Sequence, residues 1–224
     1  MKLIKPYYKI LKYPKIEDLW IIEDAGRVCY KSEDKITKDS YRTFFENLLK
    51  RKHEAVLEHS QITVKFICDR GISHELVRHR LASFCQESTR YCNYSKDKFD
   101  NQVTFIIPGW VKLSVDDLNN GHISPKDNYD VLIWVKEIEQ IEKRYFQLIE
   151  DFKWTPGQAR SILPNSVKTE VVMTANVREW RHVLKLRTSK KAHEQMRELM
   201  IPLLEELQTK VPVLFDDINK EVDE

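Results

Sequence analysis

The 224-residue chain lacks the features that mark several large protein classes. It has no run of about 18 uncharged apolar residues, so no transmembrane helix is expected. Its opening residues, MKLIKPYYKILKYPK, scatter charge along their length and contain no h-region, so a secretory leader is not expected either. The four cysteines, Cys29, Cys68, Cys85 and Cys92, form no CxxC pair. Such usage points to reduced thiols in a cytoplasmic setting, with no need of disulfides. Charge of one sign is also missing: 37 Lys and Arg against 35 Asp and Glu leave a formal +2. No global field therefore favours nucleic acid or a membrane surface, and any preference for anions must be local. A GxGxxG loop, the common dinucleotide fingerprint, is absent as well. Without repeats, low-complexity tracts or a linker, residues 1–224 read as a single domain. At this size the chain should bury about 70% of its unfolded surface.

What is present is concentrated in Arg78-His79-Arg80-Leu81-Ala82-Ser83-Phe84-Cys85-Gln86-Glu87-Ser88-Thr89-Arg90-Tyr91, which packs three arginines, a histidine and several hydroxyls together. Arginine meets phosphate bidentately and keeps its charge at any working pH, while Ser and Thr hydroxyls add short directional bonds. The expected ligand carries phosphate.

Periodicity gives the scaffold. Residues 2–12 read as an edge strand, and 17–30 and 39–51 as amphipathic helices, the second with the stripe Tyr41, Phe44, Phe45, Leu48 and Leu49. Ile62, Val64, Phe66 and Cys68 alternate as in a half-buried strand. Helix is predicted over 72–81 and extended chain from Ala82 through Tyr91. Residues 93–128 show turn chemistry and no regular element, whereas 129–152 carry a long helical stripe. A short helix opens at Pro156 and ends before Pro164, followed by a strand over 167–174 and helices over 177–186 and 190–209 despite Pro202.

His74 and His79 look at first like a zinc-protease pair, but they stand five apart, about 140° around a helix, and cannot share one face. No metal site is expected. Cys85, Cys92 and Ser88 have no activating base beside them in the sequence, so inert thiols and a ligand-binding hydroxyl are the plainer readings. His53 and His59 flank an apolar step and read as structural histidines when taken alone. A nucleotide- or RNA-binding module using the same arginines, with stacking on Phe84, Tyr91 or Tyr94, is the alternative to an enzyme.

Arg-His-Arg, seven further residues, Ser88, and then Arg90-Tyr91 resemble the signature of the flavin-dependent thymidylate synthases. The resemblance extends to His53 and Glu58-His59 upstream. Downstream it takes in Ala159-Arg160-Ser161-Ile162-Leu163-Pro164 and Thr174-Ala175-Asn176-Val177-Arg178-Glu179-Trp180 through Leu186-Arg187, so that about 1–210 is covered. It implies an α+β fold with a twisted, largely antiparallel sheet flanked by helices, assembled as a homotetramer with active sites between subunits. It also implies FAD reduced by NADPH, and transfer of a one-carbon unit from methylenetetrahydrofolate to dUMP, giving dTMP. No nucleic-acid or membrane partner is implied.

Residue by residue, the resemblance implies FAD contacts for Arg78, His79 and Arg80, for Gln86, and for Asn176, Val177, Arg178 and His182, with His53 near the flavin. It implies dUMP contacts for Gln86, Glu87, Ser88, Thr89 and Arg90 and for Glu75, Leu76, Val77 and Arg78. Arg160 matches a phosphate-binding arginine donated from a neighbouring subunit. Arg187 matches the arginine at the uracil ring, where a guanidinium would stabilise charge as C5 is activated. Three positions depart from the family pattern: Gln86 and Glu75 exchange the Glu and Gln of some members, and Ala55 replaces a hydroxyl residue.

Overall fold

The computed structural model describes residues 1–219; the last five residues of the expected 1–224 domain lie outside them. The first expected strand is two strands, β1 (Lys2–Ile4) and β2 (Tyr7–Lys12). Pro6 lies between them, and a residue without an N–H and with fixed φ interrupts a ladder. β1 pairs in parallel with β5 (Thr104–Ile106), Leu3 opposite Phe105. A four-stranded sheet has the order β2-β3-β6-β4, with β3 at Gln61–Asp69, β4 at Ala82–Gln86 and β6 at Lys168–Asn176. β3 and β6 run antiparallel: the Thr63 and Thr174 hydroxyls meet at 2.9 Å, and at the same register Val177 N–H donates to Ser60 O at 3.0 Å.

The helices follow the apolar stripes. α1 (Ile16–Val28) buries Leu19, Ile22 and Gly26, and α2 (Ser40–Lys50) buries Tyr41, Phe45 and Leu48. A Cβ on Gly26 would collide with the Phe44 ring, so glycine lets α1 and α2 approach. α3 spans Arg70–Leu76, α4 Val115–Asn119, α5 Tyr129–Glu150, α6 Pro156–Ala159, α7 Val177–Thr188, α8 Glu194–Lys210 and α9 Pro212–Phe215. α3 stops short of the predicted 81, leaving residues 77–81 as a turn, and β4 ends at Gln86 rather than Tyr91. Among the described residues no helix is long and apolar enough to cross a membrane.

By contacts the chain divides into two compact units. One comprises Met1–Tyr7, Ile67–Leu76 and Cys85–Val171; the other comprises Tyr8–Phe66, Val77–Phe84 and Val172–Glu224. The first is built around Leu3, Tyr94, Phe105, Val135, Ile138 and Tyr145. In the second, Trp180 is fully buried and donates its indole N–H to Ile62 O at 2.9 Å. Each unit carries its own group of the expected site residues.

Candidate functional site

In the first unit, the segment after β4 is held by its side chains. Gln86 Nε2 donates to Ser73 Oγ at 2.9 Å and to Thr169 Oγ1 at 3.2 Å, which ties the strand end to α3 and β6. The Glu87 carboxylate accepts from Lys168 Nζ at 2.8 Å and from the Tyr94 hydroxyl at 2.9 Å. Lys168 also donates to Glu170 at 2.8 Å. Burial works against the Lys168 charge, but its bonds to Glu170 and Glu87 outweigh this and hold the ammonium above its ordinary value. Burial, with the Glu87 charge beside it, pushes the Tyr94 phenol up.

Beyond this anchor the chain turns tightly. Tyr91 and Cys92 N–H groups donate to Ser88 O at 3.1 and 2.9 Å, and Arg90 N–H donates to Ser88 Oγ at 3.3 Å. Thr89 is buried, whereas Arg90 is exposed. Arg160, in the turn that follows α6, donates to Thr89 Oγ1 at 3.3 Å. α6 and its following turn thus bring Arg160 to the Thr89 loop of its own chain. Arg90, Tyr91, Thr155, Gly157 and Arg160 line one cavity of about 520 Å³ with no acid in its wall. A Cβ at Gly157 would stand 3.3 Å from Arg90 Cγ, so a larger residue there would push this side chain by a few tenths of an ångström. Glu75 and Leu76 end α3; Leu76 is fully buried, so only its backbone can face a ligand.

In the second unit, Val77 and Arg78 are exposed and the turn then buries His79 to 6% exposure before Arg80 returns to solvent. Arg187 Nε donates to His79 Nε2 at 3.0 Å, and Glu179 Oε1 lies 3.7 Å from His79 Nδ1. The His182 ring stands edge-on to His79, centroids 6.2 Å apart. Burial, then the charges of Arg187 and His182, lowers the His79 pKa to about 4. The imidazole is therefore neutral, accepting through Nε2 and carrying its proton on the Nδ1 that faces Glu179. His79, Glu179 and His182 offer ligand atoms within 4.8 Å of one another. Nε2 of His79 already accepts from the Arg187 guanidinium, so a metal ion there would have to displace that hydrogen bond.

α7 explains the remaining placements. Asn176 caps it by accepting from Glu179 N–H at 2.8 Å, and Val177 is fully buried with its N–H spent on Ser60. The exposed Arg178 pairs with Glu58 at 2.7 Å. His53, Ala55 and Arg178 line a larger cavity of about 890 Å³ shared with Arg27, Phe44 and Arg51. The expected residues thus gather as Gln86–Arg90 with Arg160, as His79 with His182 and Arg187, and as His53 with Arg178. Sequence reasoning missed Glu179, Lys168, Ser73 and Thr169. Only Glu179 left a signal there, three residues before His182 and therefore on the same helical face.

The chain matches the family described as thymidylate synthase complementing protein over residues 10–213. A flavin-dependent thymidylate synthase from Corynebacterium aurimucosum is 32% identical over 206 residues, covering 89% of this chain and 79% of that protein. One from Thermococcus kodakarensis is 33% identical over 191 residues, covering 85% and 68%. Thymidylate synthase X from Helicobacter pylori, solved with FAD and dUMP, has a TM-score of 0.72 at 23% identity and covers 95% of this chain and 98% of its own. The UMP/dUMP methylase PolB from Streptomyces cacaoi, bound with 5-Br dUMP, gives a TM-score of 0.72 at 22% identity, covering 96% of each chain. These two structures share the α+β fold. The family match reaches through both compact units, and relatives above 30% identity cover more than four-fifths of the chain, so this chain belongs to the flavin-dependent thymidylate synthase family.

Proposed function

We propose that the chain is an FAD-dependent thymidylate synthase that reductively methylates dUMP to dTMP, with methylenetetrahydrofolate as one-carbon donor and NADPH as the reductant of the flavin. It is read as a single family domain over 1–224, working as a homotetramer with active sites between subunits. Free thiols at all four cysteines support a reducing, cytoplasmic setting.

The observation that carries the nucleotide half of the reading is the convergence of Arg90 and Arg160 on one acid-free cavity beside the Ser88 and Thr89 hydroxyls. Two guanidiniums and two hydroxyls are a donor set for a monoester phosphate. For FAD, the larger cavity offers His53, Ala55 and Arg178 along one side, and its single acid, Glu54, is bound to the buried Arg181 at 3.4 Å. His53, Arg178, the Arg78-His79-Arg80 turn and the α7 residues Asn176 and His182 would hold the cofactor, with the buried Val177 fixing the start of α7 against Ser60. When bound and reduced, the flavin supplies a hydride.

The chain's own residues supply position and electrostatics. Ser88, Thr89, Arg90 and Arg160 hold the phosphate, and Gln86 and Glu87 fix the loop. Arg187, oriented by His79, is read as the guanidinium at the pyrimidine, where activation of C5 drives negative charge onto N3 and the ring oxygens. One preorganised donor there contributes about 3 kcal/mol to transition-state stabilisation. No protein nucleophile is required. The test is the visible spectrum of the protein after FAD loading, followed by NADPH oxidation with and without dUMP. A retained flavin band whose reduction responds to dUMP is expected; no retention would turn the reading toward a nucleotide-binding module.

A further inference from the structure

The larger cavity holds more cationic surface than its flavin-side residues use. One wall is α2, which contributes Ser40, Thr43, Asn47 and Arg51. These recur at spacings of three and four and so form one stripe, ending at the C-cap Arg51, with Phe44 and Leu48 adding apolar surface to the same wall, while Tyr41 and Phe45 turn to the core. From Ser40 to Arg51 that stripe is about 16 Å long. Five cations line the cavity: Arg27, Lys35, Arg51, Lys52 and Arg178. Arg27 is matched by the fully buried Glu23 at 2.6 Å, and Arg178 by Glu58 at 2.7 Å. Among the described residues Lys35, Arg51 and Lys52 have no acidic partner. Lys35 precedes α2 in the chain, and Arg51 and Lys52 end it. Lys52 occupies the left-handed region at φ 58°, just past the helix end, where glycine is the strain-free residue.

From this we infer that the α2 wall is a track for the γ-linked glutamate tail of the folate cosubstrate, with carboxylates meeting Lys35, Arg51 and Lys52. The inference rests on the synthase reading for the identity of the ligand. A compact phosphate can satisfy only one end of such a stripe, whereas carboxylates repeated along a flexible chain can meet cations at both. His53, next to Lys52 and in the same wall, is expected beside the flavin, so the pterin ring belongs at that end and the tail extends along α2. A longer tail should bind more tightly, and because the cations are exposed the gain should shrink with added salt.

The experiment compares equilibrium binding of monoglutamyl and pentaglutamyl methylenetetrahydrofolate to the FAD-loaded protein, by calorimetry, for the wild type and the Lys35→Gln/Arg51→Gln double variant. The wild type should prefer the pentaglutamyl form by about tenfold, the scale of two exposed ion pairs, and the double variant should bring the ratio close to one. Equal affinities in the wild type, or a ratio that survives the double substitution, would overturn the inference. Loss of flavin from the double variant with the ratio unchanged would also overturn it, assigning these cations to the flavin diphosphate. Dye-monitored melting of the variant checks that it is folded. Because the readout is binding, failure to form dTMP counts against the synthase reading alone. Should no flavin be retained, the same ratio on flavin-free protein decides the matter.

Discussion

The Nε–H of Arg187 donates to the Nε2 of His79 at 3.0 Å, across 108 residues of sequence. The acceptor exists only while the imidazole is neutral, and burial together with the Arg187 charge keeps it so. Glu179, 3.7 Å from the other ring nitrogen, sets the tautomer. One turn of the Arg-His-Arg segment thereby fixes the direction of the arginine that we place at the pyrimidine.

The flavin-free protein should lose stability through this pair as pH falls. The folded value of His79 is lowered to about 4 from 6.5, so between those values the unfolded chain binds a proton that the folded chain refuses. The contribution is complete above pH 6.5 and disappears toward pH 4. Urea unfolding of wild type and His79→Gln at a series of pH values should show a wild-type-specific fall on the order of 2 kcal/mol across that window. Parallel pH profiles for the two proteins would contradict it.

Arg187→Ala should lower dTMP formation by at least about a hundredfold while flavin remains bound, because the lost interaction is made in the transition state. Arg187→Lys should recover little, since an ammonium has neither the planar fork nor the Nε donor used on His79. Turnover close to wild type in either variant would remove Arg187 from the chemistry.

Arg160 reaches Thr89 of its own chain, which changes what mixed oligomers should do. If these two arginines hold the phosphate as proposed, Arg160→Ala and Arg90→Ala subunits each spoil the site on their own loop. Verified mixed tetramers of the two should show no more activity than either parent. Recovery on mixing would mean that Arg160 serves a neighbour's loop after all.

Lys168 neutralises Glu87 at the root of that loop, the two side chains being 18% and 11% exposed. Lys168→Met leaves a largely buried carboxylate with only the Tyr94 hydroxyl and should destabilise the protein by about 2–3 kcal/mol. It should also raise the KM for dUMP, as the turn at 88–90 loosens. Lys168→Arg should restore most of the stability, as measured by thermal or urea unfolding; equal stability of Lys168→Met and wild type would show that the pair anchors nothing.

The elements legible in the sequence were those with a clean period. Ile62, Val64, Phe66 and Cys68 alternate into a fully buried face of β3, and the α5 stripe buries Val135, Ile138 and Tyr145. β1, β5 and α4 span three to five residues, too few for a period to show against turn chemistry. The end of α3 was overrun because residues 77–81 carry no helix breaker; the turn follows from burying His79 against α7, a tertiary effect. In the candidate site, the density of arginines and hydroxyls at 78–91 is legible from composition alone, and with it the expectation of an anion. The anchoring network did not announce itself: Glu87 and Lys168 stand 81 residues apart, and only the sheet brings them together.

The most direct measurement loads the purified protein with FAD, removes the excess and assays dTMP after adding dUMP, methylenetetrahydrofolate and NADPH, with each component omitted in turn. A retained flavin band and dTMP formation that requires every component is the predicted result. Flavin retained with no dTMP formed, or dTMP formed equally well without flavin, would contradict it.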